Sequence, residues 1–188
     1  LSELKILKSK LNPHLLFNTL NNIDALIQIS PEKASQALSK LSDILRYVVY
    51  ETEDGKVSIK KEIDNLQKYI ALEKMRIVHP NSVEFINKVS DETTIPPMLF
   101  FPFVENAFKH SNLNNPDDRL NILIIEDKNK IVFSCSNTIN EYKRNDAASG
   151  MGLELAKKRL DLLFPSTHIL NISKLDNKFI VNLEIQLV

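Results

Sequence analysis

Met98-Leu99-Phe100-Phe101-Pro102-Phe103-Val104-Glu105-Asn106-Ala107-Phe108-Lys109-His110 is the stretch on which the reading of this chain turns. It is apolar up to Val104 and polar from Glu105 onward, and it reads as a helix with one buried end. On a helix Glu105 and Lys109 stand one turn apart, as do Asn106 and His110, so four polar groups crowd adjacent faces. A solvated Glu-to-Lys pair at this spacing is common and contributes only about 0.2–0.5 kcal/mol, which is the bland account. In the functional account Asn106 offers a carboxamide oxygen to Mg²⁺, Lys109 and His110 reach phosphate oxygens, and Glu105 orients or deprotonates a nucleophile.

Strands dominate on the C-terminal side of this helix. Leu120 to Glu126 and Ile131 to Ser136, joined by a turn at Asp127-Lys128-Asn129-Lys130, predict a hairpin of two largely buried strands. The polar stretch Asn140 to Ser149 lacks periodicity, and Leu153, Ala156, Leu160 and Leu163 then mark a helix ended by Pro165. His168 to Ser173 and Phe179 to Val188, with a turn at Asp176-Asn177, form a closing hairpin. On the N-terminal side Val83, Phe85 and Asn87 alternate with Glu84 and Ile86 as a short strand that Ile95-Pro96-Pro97 stops. These elements predict a mostly antiparallel sheet covered on one face by helices.

The chain begins differently. Leu4, Leu7, Leu11, Leu16, Leu20, Ile23 and Ile27 repeat at helical spacing, with a kink expected near Asn12 because Pro13 removes a backbone donor and crowds the preceding turn. Ser30-Pro31-Glu32 gives an N-cap, a proline at the first helical position and an acid near the positive helix end. A second helix starts there, with Ala34, Leu38, Leu41, Leu45 and Val48 expected on its buried face. The short connection makes an αα-hairpin, and a dimer forming a four-helix bundle is an economical way to bury it. A polar stretch from Glu51 to Lys56, holding Gly55, is a hinge or loop. Ser58 can cap a third helix with Ile59, Ile63, Leu66 and Ile70 on one side, running to about Arg76. The predicted class is α+β: residues 1–55 form a helical, dimerising unit, and residues 56–188 a linking helix and an α/β sandwich.

Composition excludes some functions. Among 188 residues, Lys+Arg 24 balances Asp+Glu 24, which lacks the electrostatic footprint of a nucleic-acid binder. The single cysteine, Cys135, lies in an apolar run and reads as a buried, inert thiol in a reducing compartment. No stretch approaches the ~18 consecutive apolar residues of a membrane span. The chain opens at Leu1, directly in an amphipathic pattern, so a fragment of a longer protein is expected.

Two further constellations carry chemistry. In Asn12-Pro13-His14-Leu15-Leu16-Phe17-Asn18 a histidine sits in a helix beside a proline, with Asn18 one turn on and on the same face. A neutral imidazole is a competent nucleophile near pH 7, and a hydrogen bond to its second nitrogen selects the attacking tautomer. A partly buried packing histidine is the ordinary alternative. In Gly150-Met151-Gly152-Leu153 two of the chain's Gly 3 open the helix bearing Lys157, Lys158 and Arg159. A helix N-terminus offers free N–H groups to an anion, and glycine permits close approach, although a lone G-x-G can be a flexible helix entry.

In this order and spacing the three constellations resemble the LytS-like family of bacterial sensor histidine kinases over nearly the whole chain. Leu11 to Asn21 is similar to that family's acceptor motif N-P-H-F-L-F-N-x-L-N, with Leu15 where phenylalanine is commoner. Leu41 to Tyr47 resembles its second-helix motif, and Tyr69 to Arg76 its linker helix. Glu105 to His110 is similar to the N box of the Bergerat ATPase fold, shared with gyrase, heat-shock chaperone and mismatch-repair ATPases. Gly150 to Leu153 resembles the later glycine box. One departure stands out: the wider fold carries Asp-x-Gly-x-Gly after the strand at Ile131–Ser136, and this chain reads Cys135-Ser136-Asn137-Thr138-Ile139-Asn140.

The resemblance implies a fold with a dimeric helical hairpin and an ATP-binding sandwich of the Bergerat type. It implies His14 as phosphoacceptor, Asn18 and Glu105 as its catalytic neighbours, and Asn106 as the Mg²⁺ ligand. ATP would be held by Asn106, Lys109, His110, Gly150, Gly152, Leu153 and Arg159, with Asn137 in place of the adenine-reading aspartate. The partners implied are a second copy of the chain, a response regulator, and a membrane reached only through upstream segments. Because Asn137 is a neutral acceptor where a carboxylate is usual, a scaffold of the same fold that binds ATP poorly is the alternative. A protein-serine kinase or simple ATPase would have no need of the Asn-Pro-His setting.

Overall fold

The computed structural model describes residues 13–51, 55–90, 93–139 and 151–187, with the side chains of 13–15, 18, 51 and 151 outside the description. The expected kink near Asn12 and the polar stretch 140–149 fall outside the described residues. Two helices open the description, α1 (Pro13–Ile29) and α2 (Pro31–Arg46), separated by Ser30 alone and packed on each other. Pro31 occupies the first turn of α2, but the Ser30 side chain makes no capping hydrogen bond. The buried face of α2 is Ala34, Ala37, Leu41 and Ile44. Leu38, expected inside, is 51% exposed, because the face that meets α1 and the next helix runs through Ala37 and Ile44. After Arg46 the backbone widens into a π-type turn, Tyr47–Glu51, with Tyr47 buried.

Ser58 caps the next helix, α3 (Ile59–Lys74), its hydroxyl accepting from the Lys61 N–H at 3.2 Å. Just before it, β1 (Val57–Ser58) pairs antiparallel with β3 (Thr94–Ile95). Ile95 was expected merely to stop the preceding strand. Instead that strand, β2 (Val83–Lys88), ends earlier, and Ile95 is buried opposite Val57. This bridge brings the chain entering the Met98–His110 stretch against the start of α3, which a local pattern cannot reveal.

The main sheet has five strands in the order β2, β4 (Leu120–Asp127), β5 (Lys130–Thr138), β7 (Lys178–Gln186), β6 (His168–Leu175). It is antiparallel except that β2 runs parallel to β4, which requires a crossover, and α4 (Phe101–His110) provides it. Asp176 and Asn177 both take left-handed backbone angles, as a tight two-residue hairpin turn demands. Strict alternation along β5 buries Ile131, Phe133, Cys135 and Asn137 on one face. On that face lie α4 and α5 (Met151–Leu163), with Phe133 stacked on Phe100 at 5.1 Å and tilted against Phe103 at 5.7 Å. Leu160 and Ala156 of α5 complete this core.

Candidate active site

The helix-bearing face of the sheet carries several of the residues expected to meet a nucleotide. α4, with Glu105, Asn106, Lys109 and His110 in half-buried positions toward its C-terminal end, packs on β5 and alongside α5. β5 brings Asn137, 2% exposed, onto the same face, and α5 brings Gly152 and Leu153 in its first turn. Gly150 lies outside the described residues. A Cβ placed on Gly152 would meet nothing within 4 Å, so the surrounding protein does not itself demand glycine there.

Asn137 is oriented by its own strand. Its Nδ2 donates to the Thr138 carbonyl at 2.9 Å, and the carboxamide oxygen is its group that can accept from another donor. Asn137 stands opposite Leu120 on β4 and Phe179 on β7, at the end of the sheet where β4 begins.

Arg159, expected among the nucleotide contacts, reaches the turn ahead of α4. Its Nη1 donates to the Met98 carbonyl at 2.9 Å and its Nη2 to the Pro97 carbonyl. Burial lowers its affinity for the proton, and the nearby Glu62 carboxylate opposes that shift. The charge belongs to the entry of α4.

Several polar residues of this region escaped the sequence reading. Glu62, Asn65, Tyr69 and Glu73 are buried at intervals of three or four along α3, a polar stripe beside the expected apolar one. Glu62 accepts from the backbone N–H groups of Met98 (2.9 Å) and Leu99 (2.8 Å) and from the Tyr47 hydroxyl (2.5 Å). Its carboxyl pKa is nevertheless raised, because burial outweighs these donors. Asn65, one turn on, places its Nδ2 3.9 Å from Met98 Sδ and keeps a buried Oδ1 without a partner among the described residues.

Further along α3, the Tyr69 ring lies 4.6 Å from Phe101 and edge-on to Phe108 at 5.8 Å, so α3 docks on α4 through aromatics. Glu73, also raised by burial, is held by Arg76, whose Nε donates to it at 2.6 Å. The Glu105 carboxylate is close enough to add to the upward shifts of both Tyr69 and Glu73, in each case behind burial. A small cavity beside Glu73 and Arg76 is walled by Thr19, Asn22, Ile23 and Leu26 of α1. The stretch Tyr69 to Arg76 of α3 therefore has Glu105 of α4 on one side and α1, the helix of His14 and Asn18, on another.

Among the described residues no group of three or more histidine, cysteine or acidic side chains could hold a metal ion alone. No helix of the described residues is long and apolar enough to cross a membrane.

Comparison with known proteins gives the family of the chain. The family described as Histidine kinase matches residues 2–80. The sensor histidine kinase YpdA of Escherichia coli is 40% identical over 111 residues, covering 58% of this chain and 19% of that protein. The sensor protein LytS of Staphylococcus epidermidis is 30% identical over 188 residues, covering 91% of this chain and 31% of LytS. The chain thus spans about a third or less of the length of these relatives. In fold it is similar to the histidine kinase domain of the blue-light activated kinase of Erythrobacter litoralis, with a TM-score of 0.52 at 12% identity, covering 99% of this chain and 91% of that one. These relations place the chain among the LytS-like sensor histidine kinases.

Proposed function

We propose that this chain autophosphorylates His14 from Mg-ATP and passes the phosphoryl group to an aspartate of a response regulator. The observation that carries this reading is the shared seat on α3: the acceptor helix α1 and Glu105 of α4 flank the same stretch, Tyr69 to Arg76. Bound Mg-ATP would supply the transferable γ-phosphoryl, with the ion spreading its charge. The protein's part is positioning. Asn106 holds the ion through its carboxamide oxygen, Lys109 and His110 take phosphate oxygens, and the Gly150–Gly152 backbone with Leu153 offers the N-terminus of α5. Asn137 accepts from the adenine amino group. Asn18 selects the His14 tautomer that attacks, and Glu105 takes up the imidazole proton.

Residues 1–55 serve in this reading as the dimerising acceptor unit and 56–188 as linking helix and ATP-binding unit. In the same reading a membrane anchor lies upstream, as the resemblance to the LytS-like family implies. The test is incubation with γ-labelled ATP. The unaltered protein should acquire an acid-labile, base-stable label, and His14→Gln should lose it while still dimerising. Undiminished acid-labile labelling of His14→Gln would sink the assignment of the acceptor, and failure to bind ATP with Mg²⁺ present would leave a scaffold of the same fold.

A further inference from the structure

We infer that Glu62 is a positioning residue, the joint that sets the two nucleotide-facing helices, α4 and α5, against each other and against the end of the acceptor hairpin. This deepens the kinase reading and rests on it. The joint is built around the turn at Pro97, Met98 and Leu99, just ahead of α4. Its two N–H groups, from Met98 and Leu99, point to Glu62 on α3. Its carbonyls, from Pro97 and Met98, point to Arg159 on α5. One short piece of backbone is therefore gripped by a carboxyl group on its donor side and a guanidinium on its acceptor side.

Met98 at the centre has φ 56, a left-handed conformation that a side-chain-bearing residue adopts reluctantly. The grip holds it there. Because a helix is stiff over two turns, fixing this turn fixes Glu105 and Asn106 further along α4. Holding Arg159 likewise fixes Gly152 and Leu153, two turns earlier on α5.

The third arm of the joint leaves the catalytic unit. The Tyr47 hydroxyl donates to Glu62 Oε2 at 2.5 Å, the same oxygen that receives the Met98 N–H. Tyr47 opens the π-type turn in which the second hairpin helix ends, and such turns often mark functional positions. Taking these polar groups out of water carries a desolvation cost that an apolar joint would not. The geometric effect of the arrangement is specific: displacement of the end of α2 pulls on the acceptor oxygen that orients the entry to α4. The hairpin that carries His14 and the helices that face the nucleotide thus share one carboxylate.

The test uses the full-length kinase with Tyr47→Phe, Arg159→Lys and Arg159→Met, measuring ATP and ADP affinity, the rate of His14 labelling at saturating ATP, and melting temperature. Tyr47→Phe keeps the ring and loses only the hydroxyl, so it should fold, bind ATP within about twofold of normal, and label His14 about tenfold more slowly. Arg159→Met should weaken ATP and ADP by the same factor, and Arg159→Lys should recover part of the loss, since an ammonium still reaches one carbonyl. Labelling of Tyr47→Phe at the normal rate would overturn the joint, as would an Arg159→Met protein that loses ATP affinity but not ADP affinity, because that places the guanidinium on the γ-phosphate. If Arg159→Met does not fold, the Tyr47→Phe arm decides alone. Absence of His14 labelling in the unaltered protein defeats the kinase reading itself and the joint with it, an outcome distinct from normal labelling by Tyr47→Phe.

Discussion

Asn137 shows how much one side chain can be asked to do. Its oxygen can serve as an acceptor, but its Nδ2 is already committed to the Thr138 carbonyl at 2.9 Å. Asn137→Asp should therefore have two effects of opposite sign. A carboxylate is a stronger acceptor for an adenine amino group, so ATP should tighten several-fold relative to GTP, a gain of about 1 kcal/mol. The same carboxylate would face the Thr138 carbonyl with no hydrogen to offer, at a cost to stability of about 1–3 kcal/mol. Calorimetry with both nucleotides and a melting curve check this, and equal changes for ATP and GTP would show that Asn137 does not read the base. Its neighbour Cys135 presents a simpler case. Burial among apolar side chains pushes its thiol up to about 12. At pH 8 only about one thiol in ten thousand is then ionised, and thiolate is the reactive form. Native protein should resist alkylation at that pH and react promptly once unfolded; equal rates in the two states would contradict the buried placement.

The helical hairpin is the element whose faces divide most clearly. Leu41 and Ile44 point into the chain's own core, whereas Leu38 is exposed, as are Phe17, Leu20 and Ile27 of α1. The exposed set is what a second copy would cover in the four-helix bundle proposed for the dimer. Substitutions should separate the two faces. Leu41→Ala should destabilise the fold by about 2–5 kcal/mol through the cavity it leaves, with little effect on the dissociation constant of the dimer. Leu20→Asp combined with Leu38→Asp should leave the melting behaviour of the catalytic unit unchanged and shift the mass seen by light scattering toward the monomer. A double variant that stays dimeric at micromolar concentration would move the interface elsewhere. The Ser58 cap belongs to this scale too, because it starts α3 at the residue where β1 ends and so sets the phase of the whole polar stripe.

At the scale of the whole molecule, Glu62, the Pro97–Leu99 turn and Arg159 tie three helices together at one point, and Tyr69, Glu73, Arg76 and Glu105 bring α3 and α4 together at another. Coupling between acceptor and nucleotide units would run through α3, the element that touches both. Local pattern was enough for much of this protein. The helices at Pro13–Ile29, Pro31–Arg46 and Ile59–Lys74 follow from apolar spacing and, for α3, from Ser58 as cap. The two hairpins follow from alternation and from Asp176-Asn177, since each of these signals acts within a few residues. The motifs around His14, Glu105 and Gly150 were legible for the same reason: the chemistry they resemble is carried by neighbours in sequence. Three-dimensional packing decided the rest. Leu38 and Ala37 exchange places because helix packing, not hydrophobicity, selects the face that small residues let approach. Ile95 pairs with Val57 across 38 residues, β2 lies parallel to β4, and Arg159 donates to the carbonyls of Pro97 and Met98. Glu62 and Glu73 could not be read as buried, since a charged residue is normally solvated unless distant donors meet it. Those donors lie 15, 36 and 37 residues away from Glu62, and only the folded chain brings them to its carboxylate.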